Sequence, residues 1–321
     1  MIAGAVIDLI FQFLQVILVI LIAPLLTGVV RATKARLTRR RGPPLLQPYR
    51  DLVRLARKEA VVANSATWLF RFVPYLVFAS TWVAAALIPT FATGLLFSWS
   101  ADLIAIIALL GAGRFFLALA GLDVGTSFGG LGSSRESLFG ALAEPAMIVI
   151  VFSLALIAGS TQLSTVAAFM TSGAVGLRVT LAMSLVALII VALAENGRIP
   201  VDNPATHLEL TMVHEAMVLE YSGRHLAVIE LAAMLKLALY VSMIICIFVP
   251  WGMAIADAGV ADRMVGALAY VGKLLAAGVA LGAFETSIAK MRVFRVPDFV
   301  GAALMLGFLG ALLLFVSRTL K

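Results

Sequence analysis

The sequence predicts an all-α integral membrane protein with eight transmembrane helices and amphipathic helices in its cytoplasmic loops. Three observations carry that prediction. Of 321 residues, 62% are hydrophobic and 13% are charged, where soluble domains run at roughly 45–50% apolar and about 25% charged. Apolar runs of about 20 residues, enough to cross a bilayer, recur along the whole chain. Lys and Arg concentrate in alternate connections between those runs. The apolar excess must face lipid, which excludes a secreted domain, a cytosolic enzyme and a disordered scaffold.

The expected spans are Ala5–Val30, Phe72–Thr90, Ala101–Leu122, Ser137–Ala158, Leu177–Ala194, Ala227–Pro250, Met264–Phe284 and Phe299–Ser317. The first run is too long for the apolar part of a cleavable signal, and no basic segment precedes it, so it is read as a span. The chain is read as one polytopic membrane domain, residues 1–321, with cytoplasmic loops at about 31–71, 123–136, 195–226 and 285–298. The net charge is +7. In a soluble protein that balance would suggest nucleic acid; beside apolar spans it sets orientation, and no nucleic-acid partner is expected. With the Arg-rich first loop placed inside, 17 Lys and Arg lie on the inner side and 4 on the outer. Both termini are therefore expected on the outer face of a cytoplasmic (inner) membrane.

Three bases fall inside spans: Arg114, Lys236 and Lys273. Glu144, Glu195, Glu230 and Glu285 fall at or just inside the cytoplasmic span ends. A charge near the bilayer centre costs about 2.5–3.5 kcal/mol on insertion scales, so these groups need partners or water. Same-helix pairing fails. Glu230 and Lys236 lie about 240° apart around a helix, and Lys273 and Glu285 about 120°. Partners must come from other spans, and the economical arrangement is a polar interior running from the cytoplasmic carboxylates to bases near mid-membrane.

The first loop, RRRGPPLLQPYRDLVRLARKEAVV, breaks at Gly42, Pro43 and Pro44 and supports a helix from Pro48 to about Glu59. Its mix of Leu52, Val53 and Leu55 with Arg50, Arg54, Arg57 and Lys58 suits a membrane surface or a soluble partner. The second, GLDVGTSFGGLGSSRES, lacks the P-loop and dinucleotide patterns and reads as a tight loop between spans. The third, AENGRIPVDNPATHLELTMVHEAMVLEYSGRHLAVIE, signals a helix start at Asn203-Pro204, running to about Tyr221. All three histidines, His207, His214 and His225, lie there. His207 and His214 are separated by about 10 Å of helix, and H-E-x-x-H is absent, so no metal site is expected. The lone Cys246 cannot hold a cluster, so the chain is expected to carry no cofactor of its own.

In that third loop Ala194-Glu195, Arg198, Pro200, Asp202, Pro204, Glu209-Leu210 and Glu220-Tyr221-Ser222-Gly223 resemble the signature loop of the quinone-chamber membrane subunit of respiratory complex I. The longer string RIPVDNPATHLELTMVHEAMVLEYSG is more similar to the branch found in membrane-bound NiFe hydrogenases of the formate hydrogenlyase and hydrogenase-4 type. Arg41-Gly42-Pro43, Leu46-Gln47-Pro48, Asp51 and Lys58-Glu59 resemble the family's first loop; Arg114–Asp123 and Phe128–Glu136 resemble the hydrogenase branch.

The resemblance implies a subunit that joins a cytoplasmic redox arm to antiporter-like membrane subunits and couples electron transfer to proton or ion translocation. Its partners would be hydrogenase-like large and small subunits carrying iron–sulfur clusters and a NiFe centre. The expected ion path is Glu144, Arg114, Glu195, Asp202, Glu209, Glu230, Lys236, Lys273 and Glu285. The expected partner interface is Arg41, Gln47, Asp51, Glu59, Arg198, His207, His214, Glu215 and Glu220. Complex I has acidic residues where this chain has Ala205 and His207, which favours protons over quinone as acceptor. A quinone-binding subunit stays open beside this, as does a stand-alone secondary transporter; a passive anchor would gain nothing from buried charge.

Overall fold

The computed structural model describes residues 2–171, 179–202, 212–255 and 258–319. Among them there are no strands, and the helices in chain order are α1 (Ile2–Leu37), α2 (Gln47–Ala56), α3 (Trp68–Leu87), α4 (Leu103–Asp123), α5 (Ser127–Ala158), α6 (Leu163–Thr171), α7 (Val179–Glu195), α8 (His214–Val218), α9 (Gly223–Phe248), α10 (Val260–Ser287) and α11 (Val296–Thr319). Seven of these are long and apolar enough to cross a bilayer. The expected fifth span is represented by α7, whose 17 residues sit at the lower end of crossing length. The chain is thus an all-helical, multi-pass membrane protein.

The bundle is organised around α9, whose apolar window is 67% buried while the other six long windows are 22–44% buried. Helices α1, α3, α7 and α10 pack against it; α4 and α5 continue outward from α3, and α11 closes against α5 and α7. The starts of three helices follow from their capping residues. Thr67 accepts from the Leu69 N–H before α3, Asp102 from Ile104 before α4, and Thr126 from Gly129 before α5.

Four boundaries differ from expectation. Helix α1 runs on to Leu37, past the expected Val30. Helix α5 starts at Ser127 rather than Ser137, so most of the expected second loop is helical and the turn shrinks to Val124–Thr126. The glycines read as loop residues are packing sites instead: a Cβ on Gly129 would lie 2.5 Å from the Gly121 carbonyl oxygen, and one on Gly132 2.9 Å from the Ala216 Cβ. The first-loop helix α2 ends at Ala56, short of Glu59. The third-loop helix is not continuous to Tyr221. Its expected start at Asn203 lies outside the described residues, residues 212–213 are not helical, and α8 holds only His214–Val218. Helix α6 was not foreseen; it packs on α9, and its start is tied to that of α4, with Leu103 N–H donating to the Thr161 carbonyl and Leu163 N–H to that of Ala101.

Residues 38–67, 124–126, 196–202, 212–222 and 288–295 gather on one basic face. Ser222 exchanges two hydrogen bonds with the Val61 backbone, and Asp123 binds Thr67. Gly223, at φ 53°, permits the closest approach there; a Cβ would sit 2.1 Å from the Glu59 carbonyl oxygen. Phe70 stacks on Tyr221 at 3.9 Å between ring centroids. On the opposite face Arg263 binds Asp8 at 2.7 Å.

Candidate functional site

Arg114 lies within α4, and its side chain is only 8% exposed. Its Nε is 3.4 Å from Glu136 Oε1 and its Nη1 is 3.5 Å from Glu144 Oε1. Its Nη2 contacts Glu195 Oε1 at the end of α7. Lys236 of α9 reaches the other oxygen of Glu195 at 2.9 Å. Four helices therefore converge on one group of two cations and three carboxylates.

Helix geometry explains how α5 supplies two of those carboxylates. Glu136, Gly140 and Glu144 are spaced four residues apart, which puts them on one face. Gly140, between them, leaves room for the guanidinium; a Cβ there would lie 2.9 Å from Arg114 Nη1 and 3.1 Å from Cδ. The Nε and Nη1 contacts satisfy ion-pair distance without making hydrogen bonds.

The cluster has two openings. A cavity of about 30 Å³ lined by Arg114, Glu136, Lys236 and His214 has room for about one water. His214 stands at its rim, with Nδ1 4.0 Å from Glu136 Oε2. Burial holds the His214 imidazole below its ordinary value, with the Glu136 carboxylate pulling the other way. The second opening is an apolar groove of about 880 Å³ between α4 and α5 that reaches Arg114 and Glu144.

A separate set of charges lies at the basic face. Glu285, 1% exposed in its side chain, is 2.8 Å from Lys34 Nζ and 3.6 Å from Arg198 Nη1. Asp202 accepts a 2.7 Å hydrogen bond from Lys290. These contacts tie the ends of α1 and α10 to the segments that follow α7 and α10, forming a rim.

The expected path is therefore divided. Arg114, Glu144, Glu195 and Lys236 come together, whereas Asp202 and Glu285 belong to the rim. Glu144 is not at a span end as expected but in the interior of α5, because that helix begins ten residues earlier. Lys273 is a correction: its ammonium turns away from the carboxylates to the Val249 carbonyl, at 2.7 Å, and the Trp251 carbonyl beyond the end of α9. Those carbonyls lack helical donors and attract a cation. Glu230 is half-buried on α9 with no hydrogen bond or ion pair among the described residues. Glu209 lies outside the described residues, as does His207.

Of the expected interface, Arg41 and Glu59 are exposed, and Gln47 donates to Asp51, which also pairs with Arg54 at 3.2 Å. Glu215 is half-buried on α8. Two members face inward instead: Arg198 pairs with Glu285 and His214 faces Glu136, while Glu220 accepts an exposed hydrogen bond from Thr126, the cap of α5. Sequence reasoning missed Glu136, Lys34 and Lys290. The four-residue spacing of Glu136, Gly140 and Glu144 was the available signal for the first. Lys34 and Lys290 had been absorbed into the count of orienting charges.

A buried ionic cluster thus lies inside a lipid-facing helical bundle and opens toward its basic face, the arrangement of a multi-pass membrane protein. The chain belongs to the NADH dehydrogenase family, whose model matches residues 10–316. It is 31% identical over 311 residues to formate hydrogenlyase subunit 4 of Escherichia coli, covering 97% of this chain and 98% of that protein. It is 37% identical over 245 residues to hydrogenase-4 component C of the same organism, 76% of each chain. A chain from the membrane-bound sulfane sulfur reductase, an archaeal respiratory membrane complex, shares the fold with a TM-score of 0.76 at 19% identity, over 96% of this chain and 99% of that one.

Proposed function

We propose that this chain joins a cytoplasmic, hydrogenase-type redox arm to antiporter-like membrane subunits and couples electron transfer to proton or ion translocation. The observation that carries the reading is the Arg114 cluster. Three carboxylates share two cations inside the bundle, so the group holds one more negative charge than its bases offset. A proton, an ion or a base of a neighbouring subunit would complete that balance, and a change in whichever completes it would shift charge along the group.

The basic face would lie in the cytoplasm, with both termini on the outer side of the cytoplasmic membrane, as the 17-to-4 distribution of bases favours. Hydrogenase-like large and small subunits, with iron–sulfur clusters and a nickel–iron centre, would dock on the first and third loops. His214 stands between that surface and Glu136. A proton arriving at the loop would pass by way of His214 and the small cavity to Glu136. Arg114 would then link the three carboxylates, so that a change of charge at one alters the others.

Glu144→Gln tests this, since it keeps the shape and removes the titration. In vesicles holding the purified complex, assembly and electron transfer to an artificial acceptor are expected to persist while ions moved per electron fall several-fold. An unchanged ratio would remove Glu144 from the path.

A further inference from the structure

Glu144 is the exposed member of the cluster. Its side chain is 45% accessible, compared with 4–16% for the other four, and it opens into the groove between α4 and α5. Apart from Arg114 and Ser137 the lining is apolar, from Ile104 and Ile107 to Ile148 and Phe152. A carboxylate held only by the 3.5 Å contact with Arg114 on an otherwise apolar, membrane-facing wall is costly, which favours a cover.

Three features define the cover. The cluster is one positive charge short, and the shortfall surfaces at Glu144. Pro145 lies inside α5, and proline has no N–H, so the Ala141 carbonyl lacks its usual helical donor. Ala141 is exposed on the same groove. Of the donors that line the groove, Ser137 donates to the Ser133 carbonyl and Arg114 meets Glu144 only at 3.5 Å without a hydrogen bond, so the two acceptors point to a further donor. Finally, the floor is built of small residues, Ala108, Gly111 and Ala112 on α4 with Ser137, Gly140 and Ala141 on α5, which permit close approach of another helix backbone.

We propose that the α4–α5 groove receives a transmembrane helix of a neighbouring subunit, and that this helix sets a lysine or arginine against Glu144 and the Ala141 carbonyl. A lipid tail would fill the apolar wall but bring no charge, and a second copy of this chain would set a carboxylate against a carboxylate if it docked through the same groove. The inference rests on the proposed function only in requiring a membrane neighbour.

The test uses the assembled complex. A photo-crosslinking amino acid replaces Phe115, which is 62% exposed and lines the groove, and the captured peptide is sequenced. The expected product is an apolar segment carrying Lys or Arg. Glu144→Lys should then lower retention of that neighbour about tenfold or more, the equivalent of roughly 1.4 kcal/mol. Replacing the neighbour's base by Glu in the same complex should restore retention. Capture of lipid alone, of a second copy of this chain or of a helix without a base would overturn the proposal, as would full retention in Glu144→Lys. The crosslink is read with Glu144 intact, so it stands even where the Lys variant fails to insert. Failure here leaves the ion-per-electron ratio of Glu144→Gln untouched, so the two readings fall separately.

Discussion

The inner cluster and the basic-face rim are both made of buried ion pairs, yet they differ in balance. At the rim, Lys34, Arg198 and Lys290 face two carboxylates, Glu285 and Asp202. In the interior, Arg114 and Lys236 face three. A set with cations to spare has no need of a proton and works as a clamp between chain segments. On the proposed function, a set one cation short borrows charge from outside itself. On the same reading, burial does not separate the two sets, and the sign of the imbalance does.

The largest effect should come from removing the shared cation. Arg114→Met leaves three carboxylates to one lysine, and breaking a buried ionic group typically costs about 3–5 kcal/mol. The subunit should be nearly lost from the membrane fraction, as blotting would show. Near-normal levels would mean that the cluster is better hydrated than its burial indicates. Gly140→Ala is gentler. The added methyl pushes on the guanidinium and should cost about 1–3 kcal/mol, lowering the detergent melting temperature and the ion-per-electron ratio together. At the rim, Lys290→Met removes one hydrogen bond to Asp202, worth about 1–3 kcal/mol for a charged group. It should lower melting without changing the ratio. A fall in the ratio would erase the distinction between the two regions.

The smallest effect is a pH dependence at the boundary between them. Burial holds His214 below its ordinary value, so the unfolded chain binds the proton more readily. Stability from this site is then full above about pH 6.5 and declines as pH falls through the depressed folded value. His214→Gln should flatten that acid-side decline in a melting series, and an unaltered slope would exclude His214 as its source.

Much of this architecture was legible in the sequence. The eight apolar runs each correspond to a helix among the described residues, seven of them long enough to cross a bilayer, and Arg114, alone among the charges of Leu103–Leu122, announced a buried cation that needed partners from other spans. The start of α5 was not legible, because glycines that let helices touch have the same composition as glycines that make loops. That one misreading hid Glu136 and placed Glu144 at a span end rather than inside the helix. Lys273 misled for a different reason. Its partners are backbone carbonyls beyond a helix end, and no side-chain pattern reports those. Which charges balance which is a property of four converging helices, and no single stretch of chain contains it.

The central claim is that coupling resides in the interior cluster and not in the rim. The most direct test compares Glu195→Gln with Asp202→Asn in vesicles reconstituted with the whole complex, measuring ions translocated per electron, with assembly checked on native gels. The account predicts a ratio near zero for Glu195→Gln, which uncouples Arg114 from Lys236, and an unchanged ratio for Asp202→Asn. Equal ratios in the two variants, or a loss confined to Asp202→Asn, would contradict it.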